Sequence, residues 1–233
     1  MTIGKSKCIV SFANSRGNYV KALARLSESL RDNFDGDFIA FIGERSIGAP
    51  LHLDNPYAFK IYAIQKAIDA GYTEVLWLDS SCFAIKNVQP IFDEIKKDGF
   101  IFQESTYLLG NWTNDRTLDA FGVTRDEAMD IMMVGNAGFL GMDFTTDVAN
   151  VFFEKWKVCM EKGYFKGSWD NNDKTESDDE RCTGHRHDMS CSSAIIHQMG
   201  LAGLMKKENE WLQYAGVFDQ TANETIIIKA QGM

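Results

Sequence analysis

Proline is nearly absent from this chain, with three in 233 residues, at Pro50, Pro56 and Pro90. So few proline breaks exclude a proline-rich linker or a polyproline ligand. No apolar run approaches the ~20 residues that a bilayer-spanning helix needs. The start, Met1 to Val10, runs into a strand-like segment without the apolar stretch and cleavage site of a secretory signal. The expected location is therefore cytoplasmic. Positive charge is also short: 24 Lys and Arg against 33 Asp and Glu, a net charge of −9. That balance excludes a nucleic-acid footprint, which needs clustered Lys and Arg. It leaves nucleotide binding open, because a divalent cation can bridge carboxylates to phosphate. Five scattered cysteines, Cys8, Cys82, Cys159, Cys182 and Cys191, do not read as a disulfide framework. The sequons at Asn111 and Asn223 are then read as chance matches.

Alternation and helical periodicity predict one α/β domain over residues 1–233, a Rossmann-like, mixed and mostly parallel sheet flanked by helices. Strands are expected at Lys7–Asn14, Asp37–Gly43, Glu74–Asp79, Gly99–Gln103 and Val134–Met142, with Thr225–Lys229 as a final edge strand. Helices are expected at Asn18–Asp32, Pro56–Gly71 (capped by Asn55), Asn87–Lys97, Asp115–Phe121, Thr124–Met132, Asp147–Lys162 and Asp188–Met199. Ser168–Arg181 is polar and acidic and reads as a mobile loop. It is no EF-hand: counted from Asp170, the sixth position is Thr175 and the twelfth Arg181, where Gly and Glu are required.

The chemistry concentrates where Val75-Leu76-Trp77-Leu78 ends in Asp79-Ser80-Ser81. Four apolar residues in a row describe a strand covered on both faces. Ligands in open α/β sheets bind beyond the carboxyl ends of such strands. A carboxylate there must be solvated, hydrogen-bonded or bound to a cation. Asp79 could hold Mg²⁺ or Mn²⁺, or could simply cap the next turn.

Leu76 to Ser81, followed by Phe83-Ala84-Ile85 and a helix at Val88-Gln89-Pro90-Ile91-Phe92, resembles the metal-binding region of the GT-A glycosyltransferases. Pro56-Tyr-Ala-Phe-Lys60 and Ala67 to Tyr72 resemble the helix before that region. The likeness extends from Cys8 to about Leu201 and is nearest to the small glycosyltransferases encoded by chlorella viruses; a viral chain would work in the host-cell cytoplasm. The family motif carries a second carboxylate where this chain has Ser81, so other groups must complete the metal site.

The resemblance implies a GT-A-like domain with a nucleotide-binding half (residues 1–100) and a sugar and acceptor half (101–233). It implies a metal-dependent hexosyl transfer from a UDP-sugar donor to a glycan acceptor, with anomeric configuration retained. Donor contacts would come from Asn14, Ser15, Arg16, Lys60, Asp79, Ser80 and Ser81. Asn136, Ala137 and Gly138, in a segment like the family's sugar-pocket segment, would add to them. Asp79, Ser81, His185 and His187 would hold Mn²⁺ or Mg²⁺. Asp79 and Asp188 would be catalytic, Asp188 facing the anomeric carbon or the acceptor hydroxyl. Arg186 could stabilise phosphate charge and Trp112, Trp169 or Trp211 could stack on an acceptor sugar, whereas Tyr57, Phe139 and Met142 read as core.

Three other readings are weighed. A zinc site in Cys182-x-x-His185-x-His187-x-x-x-Cys191 lacks the second ligand pair that structural zinc wants. A phosphotransferase or phosphohydrolase using Asp79 as nucleophile would want a second Asp and a Thr that Asp79-Ser-Ser-Cys-Phe83 lacks. A non-catalytic sugar-nucleotide or carbohydrate-binding module is permitted by Ser81.

Overall fold

The computed structural model describes residues 6–15, 17–134, 137–168, 174–207, 210–214 and 226–231. The first half alternates strand and helix: β1 (Lys7–Ala13), α1 (Asn18–Leu30), β2 (Asp37–Ile42), α2 (Ala58–Asp69), β3 (Glu74–Leu78), β4 (Cys82–Ala84), α3 (Gln89–Asp98) and β5 (Phe100–Phe102). The second half holds β6 (Glu104–Leu108), α4 (Asp115–Phe121), α5 (Arg125–Ala128), β7 (Met132–Val134), β8 (Phe139–Asp143), α6 (Asp147–Glu161), α7 (Asp188–Gln198), β9 (Leu212–Tyr214) and β10 (Ile228–Ala230).

The central sheet runs β2-β1-β3-β8-β5. β1 pairs in parallel with β2 and β3, while β8 is antiparallel to both β3 and β5. Four of the five strands therefore point one way, as the predicted α/β class requires.

Strand alternation decides which layer each side chain joins. Cys8, Val10, Phe12, Val75 and Trp77 face one way, against Ile61, Ile64, Phe152 and Ile195 from α2, α6 and α7. Ile9, Leu76 and Leu78 face the other, against Leu26 and Leu30 of α1 and Ile91, Phe92 and Ile95 of α3. Residues 75–78 are all fully buried, as expected of a strand covered on both faces. Phe139 and Met142 are core, as expected. Gly141 in β8 is required by packing, because a Cβ there would lie 2.4 Å from Ile95 Cδ1.

Several expectations are corrected. The strand expected over Val134–Met142 is two strands in different sheets, β7 and β8, with Ala137 between them at φ 39°. β10 is no edge strand: it lies between β4 and β9 in a second, three-stranded sheet. Pairing supplied by β4 and β9, each three residues long, lies below what periodicity can detect. α2 begins two residues later than Pro56. Its N-cap is Tyr57, held left-handed at φ 57°, while Asn55 Nδ2 donates to Met160 O at 3.2 Å. The described part of the acidic loop is tied down rather than loose. Ser177 Oγ donates to Asp115 Oδ1 at 2.7 Å, Asn114 Nδ2 to Glu176 Oε2 at 3.1 Å, and Arg181 pairs with Asp126 at 2.8 Å.

Candidate functional site

Asp79 follows Trp77 by two residues, so strand alternation turns its side chain to the α2 face. Trp77 Nε1 donates to Asp79 Oδ1 at 2.8 Å. The Asp79 side chain remains 35% exposed, in contrast to the sealed strand behind it. Beside it opens a cleft of about 310 Å³, lined by Asp79, Ser80 and Ser81, by Asn14 at the end of β1, and by an aromatic wall of Phe12, Tyr19, His52, Tyr57 and Phe59.

Under the cleft floor lies Lys60 of α2, completely buried. Its Nζ donates to Asp188 Oδ2 at 2.8 Å and to Ala137 O at 2.9 Å, and sits 3.6 Å from Asp79 Oδ1. Burial alone would pull the Lys60 ammonium down, but the Asp188 and Asp79 charges outweigh it and hold it above the ordinary lysine range. Burial pushes the Asp188 carboxyl up to about 6, against the pull of Lys60. At pH 7 the pair is ionised, and two carboxylates against one ammonium leave one net negative charge.

Two expectations fail here. Lys60 does not reach out to phosphate: it is buried, and its Nζ donates to Asp188 and Ala137. Asp188 does not face the cleft: it is 3% exposed and locked under Lys60.

The Ala137–Gly138 segment meets Asp79 directly. Asp79 N donates to Gly138 O at 3.0 Å, and a Cβ on residue 138 would lie 2.8 Å from Asp79 Oδ2. Only glycine lets the carboxylate keep its place. On the sugar-nucleotide chemistry expected from the sequence, Gly138→Ala should displace Asp79 and lower kcat/KM about 100-fold, with little change in melting temperature. A variant with wild-type kcat/KM would show that the Asp79 position does not matter.

The remaining expected residues divide. Asn14 and Ser80 join the cleft lining, and so does Ser81, whose carbonyl accepts from Arg25 Nη2 at 2.7 Å. Ser15 is exposed on the turn after β1. Arg16, Asn136 and Trp169 lie outside the described residues.

His185 is withdrawn from the metal set. It accepts from Asn114 N at Nδ1 (3.3 Å), and its Nε2 meets Tyr164 O at 3.0 Å; both nitrogens are committed. With Cys182 Sγ directed at Gly184 O and all five cysteines free and buried, the zinc reading falls too. His187 Nδ1 faces Phe165 O at 2.9 Å and must donate to it. That fixes the tautomer with the lone pair on Nε2, the arrangement usual for a ligating histidine.

Among the described residues no three His, Cys, Asp or Glu side chains gather as a metal cage. What fits the net negative charge at Asp79 is a cation held by one carboxylate, with its other positions left to diphosphate oxygens and water.

Burial lowers His185 from 6.5 to about 3, so the folded state binds this proton less tightly than the unfolded chain. Its contribution to stability is full above about pH 6.5 and fades as pH falls towards 3. Asp188, raised in the fold, acts in the opposite sense between 3.8 and about 6. His185 alone should make the protein about 2 kcal/mol less stable at pH 5 than at pH 7. Urea unfolding of the wild type and His185→Gln at both pH values checks this. Equal pH dependence in the two proteins would contradict a buried, neutral His185.

The aromatic wall was not foreseen. Tyr57, expected in the core, is a cleft residue. Its backbone N–H donates to His52 Nδ1 at 3.0 Å, its ring meets His52 edge-on at 4.8 Å, and burial pushes its phenol up to about 12. Burial likewise lowers His52 to about 4. The signal available was an aromatic cluster, His52, Tyr57 and Phe59, off the apolar stripe of α2.

Comparison with solved structures bears on the fold. The chain superposes on the apo structure of the bifunctional glycosyltransferase WbbM with a TM-score of 0.53 at 10% identity, covering 98% of this chain and 46% of that one. It superposes on the galactosyltransferase LgtC, in complex with donor and acceptor sugar analogues, with a TM-score of 0.50 at 9% identity, covering 97% and 87%. An active-site mutant of LgtC gives 0.50 at 11% identity. The fold is that of the GT-A glycosyltransferases. The chain spans about half the length of WbbM. No protein-family model and no curated protein sequence matches, so the kinship lies in the fold. Among the described residues no helix is long and apolar enough to cross a membrane.

Proposed function

We propose that this GT-A-fold protein is a hexosyltransferase that moves a sugar from a UDP-sugar to a glycan hydroxyl, assisted by Mn²⁺ or Mg²⁺ and with retention of anomeric configuration. The observation that carries this reading is Asp79, a half-exposed carboxylate at the exit of β3, opening onto an aromatic-walled cleft in a fold whose neighbours WbbM and LgtC are glycosyltransferases.

Each residue then has a task. Phe12, Tyr19, His52 and Phe59 offer flat faces to a nucleobase. Asn14 stands at the end of β1 to meet the ribose side. Asp79 is the group that would hold the cation, which would supply Lewis-acid stabilisation of the departing diphosphate. Gly138 keeps backbone low beside Asp79, leaving room for the sugar. Lys60 and Asp188 fix that floor from below and keep it from collapsing into the core.

The single carboxylate also favours a second reading, a sugar-nucleotide-binding module without turnover. Incubation with a panel of UDP- and GDP-sugars, with Mn²⁺ or EDTA, separates the two. Metal-dependent release of UDP supports the transferase. Binding without release in any acceptor mixture supports the module, and no response to any sugar nucleotide sinks both.

A further inference from the structure

Just before α7, Arg186 is clasped by aromatic rings. Its guanidinium carbon lies 4.2 Å from the centroid of Trp112 and 5.0 Å from that of Tyr107. The two rings are 5.4 Å apart and inclined at 57°. The backbone beneath is fixed as well: Arg186 N donates to Trp112 O at 3.0 Å and Ser190 Oγ donates to the same oxygen at 2.7 Å. Arg125 and Arg181 spend their charge within the protein, Arg125 on Asp115 and Arg181 on Asp179 and Asp126. Arg186 does not. Its Nε is shielded from water and has no acceptor, and no ion pair reaches the guanidinium among the described residues.

This arrangement is costly unless something uses it. Ring stacking satisfies the flat faces of a guanidinium but leaves its in-plane N–H donors unsatisfied. Those donors form a fork that matches the two oxygens of a carboxylate or phosphate. The clasp also immobilises the side chain before any ligand arrives, which lowers the cost of binding. Its position is informative. Arg186 lies two residues before Asp188, yet Tyr107 and Trp112 come from β6 and the turn after it, and neither lines the nucleotide cleft. An anion held here would therefore be distinct from a nucleotide bound in the cleft.

We propose that Arg186, with Tyr107 and Trp112, is a specificity subsite for an oxyanion on the acceptor glycan, either the carboxylate of a uronic acid or a sugar phosphate. Trp112 and Tyr107 would present their outer faces to the sugar ring while Arg186 takes the charge. The placement beside a donor site rests on the glycosyltransferase reading; the anion site itself does not.

The test measures binding of methyl glucuronoside, glucose 6-phosphate and methyl glucoside by NMR of the arginine Nε–H and tryptophan indole signals, in the wild type and Arg186→Gln. UDP affinity is measured in parallel. The charged sugars should bind at least about tenfold more tightly than methyl glucoside. The tighter of the two names the anion. Arg186→Gln should abolish the preference and leave UDP affinity unchanged. Equal binding of charged and neutral sugars by the wild type overturns the proposal even if the variant does not fold. A tenfold loss of UDP affinity in Arg186→Gln also overturns it, by assigning the arginine to the donor phosphates. If the wild type prefers charged sugars but binds no sugar nucleotide, the subsite stands and the transferase reading falls. If UDP-sugar is turned over with no preference for charged sugars, the reverse holds.

Discussion

Lys60→Met should cost the protein about 3–5 kcal/mol of stability, the usual penalty for removing one partner of a buried ion pair. For a chain of this size that corresponds to a fall of roughly 6–20 °C in melting temperature. Methionine fills much of the same volume, so the loss is electrostatic. Asp188 would be left fully buried with no cation within reach, and Asp79 would lose its neighbour at 3.6 Å. The damage should depend on pH. Asp188 already takes up its proton near 6 with Lys60 present, and Lys60 holds that value down. Without the lysine the carboxyl protonates more readily still, so the deficit at pH 5 should be smaller than at pH 8. Lys60→Met combined with Asp188→Asn should recover much of the stability, because the uncompensated charge is gone. Urea unfolding at the two pH values checks both statements. A deficit independent of pH, or a double variant no better than the single, would contradict a charged Lys60–Asp188 pair.

Asp79→Asn should act on turnover instead. Asparagine keeps the size of the side chain and an oxygen to accept from Trp77 Nε1. It removes the one negative charge left over at the cleft floor. Stability should change little, because Lys60 retains Asp188 as its partner at 2.8 Å. Transfer or hydrolysis of a sugar nucleotide should fall about 10²–10³-fold, the scale of losing one transition-state electrostatic contact. Steady-state rates and melting temperature of the one variant separate the two effects. Full activity in Asp79→Asn would contradict the role given to this carboxylate.

The pair of predictions shows how far the residues could be read in one dimension. Asp79 was legible because four apolar residues ending in an acid is a strong pattern, and alternation from Trp77 even sets the side it faces. The central strands and long helices were legible for the same reason, since each carries a full period of apolar side chains. The pairing of Lys60 with Asp188 beneath the cleft was not legible. They are 128 positions apart, and only the fold, which brings the first residue of α7 to Lys60 of α2, turns a lysine and an acid into a closed pair. His185 was misjudged because its partners, Asn114 N and Tyr164 O, are backbone groups that carry no sequence signal. The aromatic wall was missed because Tyr57 adopts a left-handed backbone that a helical reading of Pro56–Gly71 does not allow. β4 and β9 are too short for any period to register, and their pairing with β10 is settled by contacts across the chain.

The cleft beside Asp79 is the centre of the account, and direct calorimetry of UDP and a UDP-sugar with the whole protein tests it most directly. The account predicts binding with a Kd between about 1 μM and 1 mM in Mn²⁺, weakened at least tenfold by EDTA and again by Asp79→Asn. The same affinity in wild type and Asp79→Asn, or no binding of any uridine nucleotide, would contradict it.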